Sequence, residues 1–512
     1  MSPSEAAAAE PVGASTFLRQ AAAAEAKGQV TAAFNLYRAA MAVAAHRGEV
    51  APALAGFARR VEYLPLAEQT LGEYAGTDAP VGLLIELAAV QGDQGAFDRA
   101  QATLGAALEA RPEEARLWSA LGWLLCRQGR HAEAVVFLEE ALRLDPELVQ
   151  ANDILADVIA LTGGDLARAL SLGEAARAAA SKAELPEITA AHARRLLAAG
   201  HLPEGLAAFA AGAAGDTALV THRLAAPRWR IGSPAPGQVV VFGEEALADE
   251  ILLASLVPTL PRAAAPYILA VGGCWRSLAE RSFPQTHVVL RLSRAGNTRP
   301  LRAAALDSVQ IHAGKLVSAF TTLRELLPVQ RLSGAGFAPA PYLIPHPSQV
   351  TYWRAWLDTL GPGLKVGVQR HLDPHRPEWE APPAALLHPA LLRDGVRLVD
   401  LPAAGAVQTD APTAFALPPG LEADDLDGLA ALTAALDVVV GPAGLTTYVA
   451  GGVGARTFIL APPRHWAMLG TDGYPWFSRA RAFTADAIHD WDRAVADLSD
   501  ALSHLVGGAG NA

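Results

Sequence analysis

Three short stretches hold side chains of the kinds that move protons and grip anions. The first is GEEALADEILLAS from Gly243, where Asp249 and Glu250 follow the apolar run Val239 to Phe242 and open a helical stretch. A carboxylate at such a junction is placed to take a proton from a hydroxyl in a cleft. It is equally suited to cap the helix, a role worth about 1 kcal/mol. Asp249 is the candidate base and Glu250 the reserve. The second stretch follows the run Lys365 to Val368 and contains Gln369, Arg370, His371, Asp373, His375 and Arg376. Its cations, Arg370 and Arg376 first, suit a phosphate or carboxylate. The alternative is a solvated loop with ordinary salt bridges. The third is GPAGLTT from Gly441. Here Gly444 lets a helix begin at once, so its free N–H groups and the hydroxyls of Thr446 and Thr447 form a seat for an anion. Such turns occur throughout α/β folds, so this motif alone specifies no ligand. His371 and His375 lack acidic or cysteine partners at ligand spacing, and no metal site is expected.

These stretches need strands to aim them. Apolar runs at Val239 to Phe242, Tyr267 to Val271, His287 to Leu290, Lys365 to Val368, Val396 to Val399, Asp437 to Val440 and Thr457 to Leu460 alternate with helical segments. That pattern predicts parallel sheets covered on both faces. The Leu360, Gly361, Pro362, Gly363 break divides the region into two similar lobes, 226–362 and 363–512, with a ligand cleft expected between their strand ends. A last helix, about 486–505, is expected to cross back over the first lobe. Trp466, Trp476 and Phe477, with Asp472 and Pro475, either wall the cleft or pack against the first lobe.

Residues 1–225 read as a repeat array. Trp118, Leu121, Gly122, Leu125, Ala134, Leu138, Ala141 and Pro146 match the 34-residue tetratricopeptide pattern. One period earlier, Leu84, Leu87, Ala88, Ala100, Leu104, Ala107 and Pro112 fill the same slots, and Phe17, Ala33, Tyr37 and Ala40 mark a weaker first copy. Asn152, Leu155, Ala156 and Ile159 begin another copy that slips near Gly163 and Gly164. His192, Ala193, Leu196, Gly205 and Phe209 mark a last one, and the copy between Val50 and Pro80 is degenerate. Such arrays bury their faces only when stacked, and their concave side takes up extended segments of other proteins. Bracing or dimerisation is the plainer role.

The bulk properties narrow the classes. The 512 residues carry a net charge of -11, which gives no reason to hold a nucleic-acid backbone. Two distant cysteines, Cys126 and Cys274, offer neither a disulfide framework nor a paired metal site. The first residues lack a basic stretch followed by an apolar run, and the apolar segment from Gly428 to Gly454 is broken by Gly441, Pro442, Gly444, Gly451 and Gly452. A cytoplasmic protein without a membrane span is expected.

GEEALADEILLAS, RSFP from Arg281, YWRAWLDTLGPGLKVGV from Tyr352, DDLDGLAALTAALDVVV from Asp424 and WAMLGTDGYPWF from Trp466 together resemble bacterial tetratricopeptide glycosyltransferases. These include flagellin glycosyltransferases and, more distantly, heptosyltransferases and O-GlcNAc transferases. The resemblance implies a repeat superhelix followed by two facing Rossmann-like lobes of the GT-B type, a nucleotide-sugar donor and no obligatory cofactor or metal. It implies Asp249 as base, with Arg370 and the Thr446–Thr447 helix start holding the departing nucleotide. The acceptor would be a flagellin-like protein held by the repeats, and the donor a nonulosonic acid on CMP. The chain departs from the family's pattern at Ala246 and Ala248 (glycines), Gln369 (Trp), Ala443 (an acidic residue nearby) and Tyr448 (a His nearby). Those departures support a second reading: a non-catalytic adaptor with a nucleotide-sugar-binding-like domain.

Overall fold

The structure is a computed structural model describing residues 13–26, 29–61, 63–76, 78–221, 227–231, 233, 237–244, 246–261, 267–290, 317–332, 340–370, 380–402 and 414–509. Its front is a tetratricopeptide array of α1 (Ala14–Ala26), α2 (Val30–Val43), α3 (Arg47–Arg60), α4 (Leu64–Gly72), α5 (Val81–Asp93), α6 (Phe97–Ala110), α7 (Ala115–Arg127), α8 (His131–Leu144), α9 (Val149–Leu161), α10 (Leu166–Ala179), α11 (Leu185–Ala198) and α12 (Leu202–Thr221). The small residues of the repeat pattern permit close packing. A methyl group on Gly122 would lie 2.7 Å from Leu138 Cγ, so α7 and α8 touch almost backbone to side chain. Ala33, Ala100 and Ala134 are fully buried at equivalent positions.

The 34-residue period is also visible in contacts. Arg59, Asp93 and Arg127 stand one period apart, and Asp93 receives Arg59 Nε at 2.5 Å and Arg127 Nη1 at 2.9 Å. Gly95, Gly129 and Gly163, again 34 apart, each adopt φ between +74° and +78°, the left-handed turn that a side chain would strain. The degenerate segment still folds as the pair α3 and α4, despite Pro52 within α3. Packing outweighs the lost hydrogen bond there: Leu54 and Phe57 are buried, and the Phe57 ring lies 5.2 Å from that of Tyr37.

The rest is α/β. β1 (Val239–Phe242), β2 (Tyr267–Val271), β3 (Thr286–Leu290) and β4 (Ala319–Thr322) form a sheet in the order β3-β2-β1-β4. β5 (Leu364–Val368), β6 (Val396–Asp400), β7 (Phe415–Ala416), β8 (Val438–Pro442), β9 (Thr457–Ala461) and β10 (Ala480–Thr484) form a second in the order β10-β9-β8-β5-β6-β7. All the described pairings in both sheets are parallel, with Val240 opposite Ile268 and Phe320, and Val366 opposite Leu398 and Val438. Reading outward from the first strand of each, both are doubly wound, with switch points between β1 and β4 and between β5 and β8. The predicted break lies between the sheets, where Gly361 and Gly363 take φ of +82° and +122°.

Helices α13 (Leu247–Leu253), α14 (Arg276–Ser282), α15 (Leu323–Leu332), α16 (Pro347–Thr359), α17 (Ala384–Leu391), α18 (Leu426–Ala435), α19 (Leu445–Gly452) and α20 (Asp492–Ala509) cover the sheets. The final helix does not cross to the first lobe as expected. Its apolar stripe, Val495, Leu498 and Leu502, with Trp491 ahead of it, is buried with Val366, Val440 and Phe458 of its own sheet.

The described residues form two compact units, one up to Ala151 and the other from Asn152 onward. Within the second, Leu197, Leu206 and Phe209 from α11 and α12 share one core with Val241 and Leu269 of the first sheet and Val439 and Ile459 of the second. Among the described residues no helix is long and apolar enough to cross a membrane.

Candidate functional site

The site expected from sequence lies where β1 and β8 end and α13 and α19 begin, all within the second compact unit. Its helices are in direct contact, α13 packing on α19. The segment Tyr342–Leu343 ties them together: Tyr342 Oη donates to the Ile251 carbonyl at 2.7 Å, and the backbone N–H groups of Tyr342 and Leu343 donate to the Gly452 carbonyl. Gly451 and Gly452 make this approach possible, because a methyl group on either would meet the Phe477 ring at 2.4 Å or Leu343 Cδ1 at 2.7 Å. Tyr448, Tyr474 and Phe477 fill the space beside α19, with the two tyrosine hydroxyls 2.6 Å apart. Trp476 is buried and donates to the Ala467 carbonyl, and Trp466 stacks on Phe209 at 5.2 Å. The contacts described for this aromatic block are with α12 and α19.

Asp249 sits half-buried in the first turn of α13, and no described residue bonds its carboxylate. Its neighbour Glu250 is fully buried, and its Oε1 accepts the Gly272 N–H at 3.1 Å. Gly243 is required beneath it, since a methyl there would stand 2.1 Å from the same oxygen. Glu250 thus pins the loop after β2 to α13, a structural employment for a carboxylate that sequence made the reserve base.

Arg370 leaves the end of β5 and forms a two-point ion pair with Asp400 at the end of β6, Nε to Oδ1 at 2.9 Å and Nη2 to Oδ2 at 2.6 Å. Both side chains are under one-tenth exposed, and the guanidinium lies over the Phe415 ring at 5.1 Å. Its fork is therefore already filled. Arg376, with His371, Asp373 and His375, lies outside the described residues. Gly444 is the N-cap of α19 and donates to Thr447 Oγ1 at 3.2 Å, while that hydroxyl reaches the Pro442 and Gly444 carbonyls at 2.9 and 3.0 Å. Thr446 Oγ1 faces the Pro402 carbonyl at 3.4 Å. Both threonines are buried and turned to backbone partners.

The first switch point holds a pair that sequence reasoning missed. Glu244, just past β1, accepts the backbone N–H of Arg324 at 3.1 Å and its Nη2 at 2.8 Å. Arg324 is in the first turn of α15, so the chain's own carboxylate occupies the place where that helix start would hold an anion. The Arg324 guanidinium in turn lies over the Phe209 ring of α12 at 4.6 Å. Glu244 was legible as an acid at a strand end. Arg324 was not, because β4 precedes it with Ala319, Phe320, Thr321 and Thr322, a run too short and too polar at its end to read as a buried strand.

Among the described residues, no three His, Cys, Asp or Glu side chains are grouped as metal ligands would be. The tetratricopeptide-repeat family model matches residues 85–149. The chain is 31% identical over 506 residues to Protein FlbA of Caulobacter vibrioides, covering 94% of this chain and 83% of that protein. Among solved structures it is similar to a thermophilic tetratricopeptide-repeat protein of Thermus thermophilus (21% identity, 36% of this chain and 100% of that one, TM-score 0.31) and to PilF of Pseudomonas aeruginosa (17% identity, 41% and 91%, TM-score 0.29).

Proposed function

The chain belongs to the family of Protein FlbA, and from that premise we propose that it is a protein-binding adaptor whose repeats take up a partner polypeptide and whose α/β lobes form a fixed, non-catalytic module. What carries this reading is the state of the anion-holding groups at the two switch points. Arg370 is taken by Asp400, the start of α15 by Glu244, and Thr446 and Thr447 by backbone carbonyls. A donor phosphate would have to displace internal partners that are already desolvated, and breaking a buried pair costs about 3–5 kcal/mol. The substitutions at Ala246, Ala248, Gln369, Ala443 and Tyr448 support the same conclusion. The resemblance to flagellin glycosyltransferases makes a flagellin-like polypeptide the first partner to test.

A second reading, protein O-glycosylation from a nucleotide-sugar donor, is favoured by one observation: Asp249 is half-buried in the first turn of α13 with a carboxylate that no described residue bonds, as a general base requires. One experiment separates the two. Purified full chain is incubated with flagellin-like acceptor and a panel of labelled nucleotide-sugars, CMP-nonulosonic acid among them. The adaptor reading expects acceptor to co-purify with the chain while its mass stays unchanged. Added sugar mass that disappears in Asp249→Ala would establish the transferase instead.

A further inference from the structure

Within the first compact unit, the helices α3 and α5, which open two successive repeats, border a cavity of about 490 Å³. Its α3 wall carries Gly48, Pro52 and Gly56, four residues apart and therefore on one face of the helix. The start of α5 supplies Gly82 and the exposed Pro80. Side chains are missing here without steric need. A methyl group on Gly56 would meet only the ends of Arg60, at 3.2 Å, and Glu86, at 3.8 Å, and one on Gly82 only Arg116 Nη2, at 3.7 Å. Pro52 also withholds the N–H that would bond the Gly48 carbonyl, so α3 is weakened on the face that borders the cavity.

Most charges around the cavity are matched inside the array. Arg60 is bonded to Glu25, and Glu86 stands 3.6 Å from Arg59, which is itself bonded to Asp93. Two are not. Glu49, in the first turn of α3, lines the cavity, and Arg116, in the first turn of α7, reaches over Gly82 at its other side. Both side chains are exposed, and neither has a hydrogen-bond or ion-pair partner among the described residues. The groove is thus bounded by an anion toward α3 and a cation toward α7. Between them lies α5, which packs on both helices. Two helix spacings of about 8–10 Å each separate the two charges. An extended chain covers that span in about five or six residues, at about 3.3 Å each.

We propose that this groove takes up an extended segment of the partner polypeptide, with a Lys or Arg on Glu49, an Asp or Glu on Arg116, and a large apolar side chain in the cavity between them. The opposite signs of the two ends fix the register and sense of the segment, which is what charges at a rim contribute to recognition. Burial of the apolar side chain against Pro52 and Pro80 removes it from water. This rests on the adaptor reading of the repeats and adds the chemistry of the segment they hold.

The test is selection of random decapeptides displayed on phage by the immobilised full chain, read by sequencing. Enriched peptides are expected to pair a basic with an acidic residue about five or six positions apart, with a large apolar residue between them. Glu49→Lys should replace the basic preference by an acidic one and leave the other end unchanged. Arg116→Glu should reverse the other end instead. Each should bind the parent chain's best peptide about fivefold more weakly, the scale of one exposed ion pair. Gly56→Leu, which fills the cavity from a helical position open to a side chain, should remove the apolar preference. Circular dichroism checks that the variants are folded. Selected peptides without the charge pattern, or a pattern that folded variants leave unmoved, would overturn this proposal and leave the adaptor reading in place. Selection of no peptide at all would overturn both.

Discussion

At the scale of single residues, the switch-point arginines separate a structural employment from a catalytic one. In Arg370→Ala, Asp400 is left buried without its cation, so the chain should lose about 3–5 kcal/mol of stability in urea unfolding. Arg370→Met with Asp400→Leu should recover most of that loss, because a well-packed apolar pair replaces a buried ion pair at little cost. A solvated phosphate clamp would behave otherwise, with Arg370→Ala leaving the unfolding midpoint in place. Glu244→Ala carries a second expectation. It opens the start of α15 with Arg324 facing it, so inorganic pyrophosphate should protect the variant against unfolding and leave the parent chain unaffected.

At the scale of elements, the repeats and strands answer to different parts of the sequence. The array was legible because its small positions are steric necessities: Gly122→Ala should cost about 1–3 kcal/mol, since the new methyl meets Leu138 at 2.7 Å, and thermal unfolding would register it. The seven anticipated strands agree with the structure to within a residue or two; all but β3, a half-exposed edge strand, are short runs largely buried on both faces. β4, β7 and β10 escaped notice for physical reasons. β7 is two residues long, and β10, an edge strand, sets Arg481 over Phe483 on one face, so it does not read as an apolar run.

The helix packing of α10 and α11 also carries a pH dependence. Burial, and then the charge of Arg195, hold His192 below its ordinary range, with Glu174 opposing and Arg177 adding to the fall. The folded chain therefore binds this proton less readily than the unfolded one. The contribution to stability is complete above about pH 6.5, the unfolded value, and is lost as pH falls through the folded value. The urea midpoint should drop between pH 7.5 and 5.5, and His192→Gln should drop less. Equal drops in both proteins would remove His192 as the cause.

At the scale of the whole molecule, sequence made visible which segments end strands and begin helices, and so where a site of this fold would lie. It left open whether those segments face open space or one another. Asp249, Gly444 and Thr446 are found at the predicted junctions, yet what surrounds two of them is set by distant residues. Pro402 takes the Thr446 hydroxyl, and Tyr342, which bridges α13 to α19, stands 91 residues from its partner Ile251. Such long-range partners leave no local pattern, and the Glu244–Arg324 pair, 80 residues apart, is of the same kind. Self-occupied anion seats in a doubly wound domain behind a tetratricopeptide array are the premise of the proposed adaptor function. Equilibrium titration of the full chain with UDP, CMP and their sugar conjugates measures this most directly. The account predicts no saturable binding across the range in which enzymes hold their substrates, about 1 μM to 1 mM; a dissociation constant within that range, lost on replacing Thr446 or Arg370 in a folded variant, would contradict it.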